Sequence, residues 1–169
     1  LRRNTGYIRS YRKMIKILFV CHGNICRSPM SQFVMQDLVN KKGLSHLFHI
    51  DSAATSTEEI GSGVHRGTRS VLKREGIPLG DHRAVQMQRR DYGAYDYLIG
   101  MDQWNIRNIQ RIAGGDPEGK VFRLLDFTDH PRDIADPWYT GDFDETYEDV
   151  RTGCEALLSY LYRNLPPVK

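Results

Sequence analysis

Two textures alternate along the chain: dense apolar runs, and stretches where apolar residues recur every three or four positions. Lys16–Cys21 (KILFVC) is the first run, of the kind found in strands buried on both faces. His49–Thr55 (HIDSAAT), Tyr95–Met101 (YDYLIGM) and Val121–Asp126 (VFRLLD) follow as strand candidates. Helical spacing fills the gaps between them. Pro29–Lys42 carries Phe33, Val34, Leu38 and Val39 on one side and stops before Gly43. Gly67–Glu75 stops before Gly-Ile-Pro, and Asp102–Ala113 before a Gly pair. Over Glu145–Asn164, Tyr147, Val150, Cys154, Leu157, Leu158 and Leu161 form the stripe of a last helix.

Strands alternating with helices predict βαβ units with right-handed crossovers. The expected fold is a single α/β domain: a four-stranded parallel sheet with helices on both faces, Rossmann-like or flavodoxin-like. Ligands of such sheets gather at the carboxyl ends of the strands, near a switch in strand order. Cys21 closes the first strand and stands at such an end.

Composition narrows the setting. A length of 169 residues suits one domain with a sizeable core, and no linker, repeat or low-complexity stretch divides it. Three cysteines, no signal-peptide pattern and no long apolar run point to the cytoplasm and to no membrane partner. The net charge of +3 comes from residues 1–13, which hold Arg2, Arg3, Arg9, Arg12 and Lys13 and no acid. Without those five, 19 basic residues face 21 acidic ones, so the remainder is at −2 and carries no signal for nucleic acid. Residues 1–13 read as a disordered basic extension, and 14–169 as the domain.

The chemistry concentrates in Val20–Pro29, VCHGNICRSP. Cys21 and Cys26 could start a metal site, but no second close pair exists, and Cys154 lies on the last helix's apolar stripe. A Walker phosphate loop is excluded by the absence of G-x4-GK[ST]. What fits is a nucleophile loop of the form C-x5-R-[ST]. A strand delivers Cys21, and His22, Gly23, Asn24, Ile25 and Cys26 curl so that their N–H groups converge on an oxyanion. Ser28 suits the N-cap and Pro29 the first turn, so a helix N-terminus faces the same concavity. Arg27 adds a two-pronged clamp, and these positive surroundings favour the thiolate of Cys21. Gly23 and Asn24 suit positive φ. Ser28 can also donate to the Cys21 sulfur. The competing reading, a buried cysteine before an ordinary helix, explains neither the Gly-Asn pair nor Arg27.

VCHGNICRSP, DSAAT at Asp51–Thr55 and DPWYTGDFDETY from Asp136 together resemble the low-molecular-weight protein tyrosine phosphatases, over about residues 15–164. The wording of the last motif resembles bacterial members, for which export is an open possibility. The resemblance implies metal-independent, cofactor-free hydrolysis of phosphotyrosine monoesters through a cysteinyl-phosphate on Cys21. The implied partners are phosphotyrosine proteins, with small aryl phosphates as substrates in vitro and phosphate as product, and the implied state is a monomer or weak dimer. Asp136, in a loop stiffened by Pro137, is the implied general acid and then base; Asp129, Asp133, Asp142 and Asp144 compete nearby. Trp138 and Tyr139 wall the crevice, with His22 and Phe48 at its rim. Asn24 is implied to bond through its side chain to Ser52 and His82, and Cys26 to form a reversible disulfide with Cys21. Trp104 is a candidate for a weak self-contact.

Three other readings stay open. Protein arginine phosphatases share the loop but typically carry threonine at the position of Ile25. Arsenate reduction needs further relay cysteines. An inactive phosphopeptide-binding module would have lost Cys21 or Asp136, and both are present.

Overall fold

The computed structural model describes residues 14–164; the basic segment 1–13 and residues 165–169 lie outside the described residues. Four strands, β1 (Ile15–Cys21), β2 (Phe48–Ala54), β3 (Tyr97–Gly100) and β4 (Val121–Arg123), form one sheet. Its order is β2-β1-β3-β4 and every pairing is parallel. The helices are α1 (Arg27–Lys41), α2 (Arg66–Arg74), α3 (Asp91–Ala94), α4 (Gln103–Ala113), α5 (Pro137–Thr140) and α6 (Phe143–Arg163).

The density of the KILFVC run has a direct structural cause. Alternate side chains of a strand point to opposite faces. Ile17, Phe19 and Cys21 enter one core with Met30 and Val34 of α1 and Val150, Leu157 and Leu161 of α6. Leu18 and Val20 enter the other with Leu98 of β3 and Ile106 and Ile109 of α4. Both faces are covered from Ile17 onward, so after Lys16 no polar position interrupts the strand. Each such side chain contributes about 1.5–3 kcal/mol of apolar burial.

Strand order reverses direction at β1, whose neighbours are β2 and β3, and Cys21 ends that strand. The topology therefore opens its crevice where the chemistry-bearing loop begins.

Element ends moved where side chains intervene. Strand β4 is shorter than expected because the Asp126 carboxylate accepts from Arg123 N and Nε, turning Leu124–Phe127 into a 3-10 turn. The last helix starts two residues early, capped by Asp142, whose Oδ1 accepts from Glu145 N at 2.9 Å. Helix α6 also runs close over that 3-10 turn. A Cβ on Gly153 would stand 2.5 Å from Leu124 Cγ. The short helices α3 and α5 lack the length for a periodic signal and were not expected.

Candidate active site

The loop after β1 is stitched outward through its carbonyls. Cys21 O accepts from Thr55 N at 2.9 Å and His22 O from Ser56 N at 3.0 Å. Ile25 O accepts from His65 N at 2.9 Å, and Cys26 O from the Thr68 hydroxyl at 3.2 Å. His82 Nε2 lies 3.2 Å from Asn24 O. With the carbonyls turned away, the N–H groups are left for the concave side. Among the described residues, the N–H groups of Gly23, Ile25 and Cys26 meet no protein acceptor, while Asn24 N donates to Cys21 Sγ at 3.3 Å. Buried N–H groups rarely stay unmet, so their arrangement asks for an anion.

Asn24 is the buried hub of this loop. Its φ is +60°, the one non-glycine in the left-handed region among the described residues. Such a conformation persists where surroundings over-determine it. Nδ2 donates to Ser28 Oγ at 2.8 Å and Ser52 Oγ at 3.0 Å, and Oδ1 accepts from Val85 N at 3.1 Å. Ser52 in turn donates to Gln32 Oε1 at 2.6 Å. Val85 and His82 reach Asn24 because the chain from 84 to 87 runs beside the carboxyl end of β2, with Ala54 N donating to Val85 O.

The loop departs from expectation at three points. Gly23 is outside the positive-φ region; its backbone is ordinary, and a Cβ there would make only ordinary contacts. Ser28 is not the N-cap, since α1 already starts at Arg27. Its hydroxyl instead accepts from Asn24, donates weakly to Ala53 O at 3.5 Å, and stands 3.1 Å from Cys21 Sγ, close enough to donate to the sulfur when Cys21 is a thiolate. His82 supports Asn24 through the backbone carbonyl rather than the side chain.

Arg27 is buried and held from behind. Nη1 donates to Asp102 Oδ2 at 2.6 Å and to Ile134 O at 2.8 Å. Its Nε–Nη2 edge is the one left for an oxyanion, and Nη2 is 3.4 Å from Asp136 Oδ2. Burial works against the charge, but Cys21, Asp102 and Asp136 outweigh it and hold the guanidinium above its ordinary value. Asp102 divides its carboxylate: Oδ1 caps α4 by accepting from Asn105 N at 2.7 Å, while Oδ2 takes Arg27.

Asp136 caps α5, where Oδ1 accepts from Trp138 N at 3.1 Å, so this carboxyl sits on a turn of helix rather than in an open loop. Oδ2 is the oxygen that faces the cradle. The pocket between holds about 100 Å³, several times the space one water needs and enough for a phosphoryl group. Cys21, Arg27 and Asp136 lie at it, with His22, Ile25 and Cys26 around the loop and Trp138 and Tyr139 as the aromatic wall. Both aromatics are exposed, Tyr139 at 84%.

Phe48 is not part of this rim. It opens β2 in register with Ile15, at the opposite end of the sheet from Cys21, and is buried. The rim instead holds Glu58 and Glu59, which the sequence reading missed; His22 Nε2 is 3.2 Å from Glu58 Oε2. His65 was also missed. Its ring stacks on Phe143 at 5.0 Å and meets Trp138 edge-on at 5.8 Å. Of the competing acids, Asp142 caps α6 and Asp144 pairs with Arg74, away from the pocket. Trp104, the candidate for a self-contact, is exposed on α4.

The Cys26 thiol is pushed up to about 12 by burial, then by the neighbouring charges of Cys21 and Asp136. It is therefore protonated at neutral pH, while Cys154 is buried in the core with its own thiol shifted upward by burial. Among the described residues, no three His, Cys, Asp or Glu side chains come together as metal ligands would.

Known proteins resemble this chain in sequence and in fold. Residues 16–166 match the family described as low molecular weight phosphotyrosine protein phosphatase. The low molecular weight protein-tyrosine-phosphatase YfkJ of Bacillus subtilis is 41% identical over 152 residues, 89% of this chain and 97% of that one. Its crystal structure superposes with a TM-score of 0.88, covering 91% of this chain and 98% of YfkJ. SP-PTP, the low molecular weight protein tyrosine phosphatase of Streptococcus pyogenes, is 40% identical at a TM-score of 0.79, with 88% and 93% covered. DARP, a Drosophila arginine phosphatase, is 27% identical at the same TM-score, with 87% and 98% covered.

Proposed function

The chain belongs to the low molecular weight phosphotyrosine protein phosphatases, and from that premise we propose that Cys21, Arg27 and Asp136 carry its reaction. The enzyme is a protein tyrosine phosphatase. The observation that carries the residue assignment is that Cys21, Arg27 and Asp136 line one pocket, with Arg27 Nη2 3.4 Å from Asp136 Oδ2.

Cys21 attacks phosphorus as the thiolate, and the bond from phosphorus to the tyrosyl oxygen breaks as Asp136 delivers its proton to that oxygen. The N–H groups of the loop and the Nε–Nη2 edge of Arg27 hold the three equatorial oxygens, where charge spreads in a loose transition state. In the second step Asp136 takes a proton from water, which attacks the phosphocysteine. The sulfur leaves as thiolate, eased by the Ser28 hydroxyl 3.1 Å away, and inorganic phosphate departs.

The aromatic wall of Trp138 and Tyr139 suits a flat ring whose phosphate reaches the floor. Phosphotyrosine proteins are accordingly the substrates of this reading. Cys26, a free thiol beside the nucleophile, is its redox partner after oxidation of Cys21. No helix among the described residues is long and apolar enough to cross a membrane. A cytoplasmic setting fits this reading, because a thiolate nucleophile beside a second cysteine works best where thiols are kept reduced.

One panel tests the assignment: phosphotyrosine, phosphoarginine and phosphoserine peptides against the parent, Cys21→Ser and Asp136→Ala. Turnover of phosphotyrosine is expected to vanish in the first variant and to fall about 10²–10⁴-fold in the second, with phosphate still bound by both. Preference for phosphoarginine would overturn the substrate, and near-normal turnover in Asp136→Ala would remove that acid.

A further inference from the structure

We propose that Asp133 is a positioning residue for the general acid, fixing the Asp136 segment over Cys21 by capping α4 from a distant part of the chain. The inference rests on the assignment of Asp136 as the acid.

The first N–H groups of a helix have no partner within it. In α4 two of them are met by carboxylates from different places. Asn105 N is taken by Asp102, the local cap, while Gln103 N donates to Asp133 Oδ1 at 2.9 Å. The same Asp133 oxygen accepts from Arg123 Nη1 at 3.1 Å, at the end of β4. Arg123 is itself fixed, with Nε 3.0 Å from Asp126 Oδ1. Asp133 is thereby tied to both a helix and a strand end.

The next residue extends the attachment. Ile134, buried, donates from N to Met101 O at 2.9 Å and accepts at O from Arg27 Nη1 at 2.8 Å. Asp136 follows two residues later. The turn from Met101 to Gln103 thus holds the acid-bearing segment at two points, the Asp133 carboxylate and the Ile134 N–H, and holds Arg27 through Asp102. Asp133 is itself half-exposed, so its ion pair with Arg123 adds little stability, and its worth is geometric.

An acid held slightly off its line protonates a reluctant leaving group poorly, and a good leaving group hardly needs it. The experiment is kcat/KM across aryl phosphates from p-nitrophenyl to phenyl phosphate, for the parent, Asp133→Ala, Gln103→Pro and Asp136→Asn. Gln103→Pro removes the N–H that donates to Asp133 and puts the ring Cδ in its place, which displaces the half-exposed carboxylate from the helix. Proline is tolerated at the first helical position, and Asp102 already has the extended φ −146°, ψ 171° that a following proline requires. If Asp133→Ala fails to fold, Gln103→Pro carries the test alone.

Expected in both is a loss of about tenfold on phenyl phosphate and less than about threefold on p-nitrophenyl phosphate, a steeper dependence on leaving group. Inhibition by inorganic phosphate should be unchanged, and neither substitution should matter in an Asp136→Asn background. Equal loss across the series, parent-like rates, weakened phosphate inhibition, or a further loss on top of Asp136→Asn would each overturn the role of Asp133. If Asp136→Asn does not itself steepen the dependence, the assigned acid fails instead.

Discussion

Asp102→Asn and Asp102→Ala separate two tasks that one carboxylate performs. Oδ1 caps α4, and Oδ2 holds Arg27 Nη1 at 2.6 Å. The Arg27 side chain is only 3% exposed, so water cannot replace a lost partner. Removing one member of a buried ion pair costs about 3–5 kcal/mol. The Ile134 carbonyl and Asp136 remain beside the guanidinium and Asp102 is itself partly exposed, so about 2–3 kcal/mol is expected for the lost charge. Loss of the cap adds about 1 kcal/mol, but only in the Ala variant, because Asn caps as well as Asp. Both variants stay within the ~5–15 kcal/mol of an ordinary domain and should fold. Urea unfolding then places Asn about 2–3 and Ala about 3–4 kcal/mol below the parent. Turnover should follow a different pattern. Both variants release the same guanidinium, so kcat/KM should fall by a similar factor in each, about tenfold to a hundredfold. An Asn variant with parent-like stability and kcat/KM would refute the claim that Asp102 holds the clamp. So would activity losses that scale with stability across the two.

Three further outcomes follow from burial and close contact. Cys26 titrates near 12 in the folded chain but near its ordinary value when unfolded, so above about pH 9 the unfolded state loses a proton that the folded state keeps, and stability falls as pH rises. Between pH 8 and 10 the parent should lose about 1 kcal/mol more than Cys26→Ala in urea melts, and parallel curves would contradict the burial argument. In the same variant, activity lost to peroxide should no longer be recovered by thiols; recovery equal to the parent's would end the redox role of Cys26. Gly153→Ala would drive a Cβ into the buried Leu124, and the overpacking should outweigh the helix gain of alanine by about 1–2 kcal/mol. A variant more stable than the parent would mean that Leu124 yields.

What the sequence made legible was local. Cys21 through Ser28 are consecutive, so strand end, loop and helix start could be read from one decapeptide. Asp136 stood out because proline and two aromatics follow it. What stayed hidden depends on chain segments meeting in space. Asp102 looked like an ordinary helix start, and only the arrival of Arg27, 75 residues away in sequence, gives its second oxygen a purpose. Glu58, Glu59 and Gln32 carry no spacing signal at all. Ser28 fitted the cap pattern, yet the hydrogen bond from Asn24 claims its oxygen. The Phe48 assignment was avoidable. In a parallel sheet a residue that opens a strand stands at the amino edge, and seven residues at ~3.3 Å each leave it about 20 Å from the carboxyl edge.

The turn from Met101 to Gln103 serves as a common origin for two moving parts. Arg27 is referenced to it through Asp102, and the acid segment through Ile134 N–H and the Asp133 carboxylate. A joint displacement of α4 and α1 against the sheet is then common-mode: it carries clamp and acid together. Only motion of α1 against α4 is differential, and Arg27, which belongs to α1 yet is bonded across to both Asp102 and Ile134, spans that joint. The separation of clamp and acid is thus set by one turn, and a displacement of that turn should shift the pair as a unit more than it spreads them.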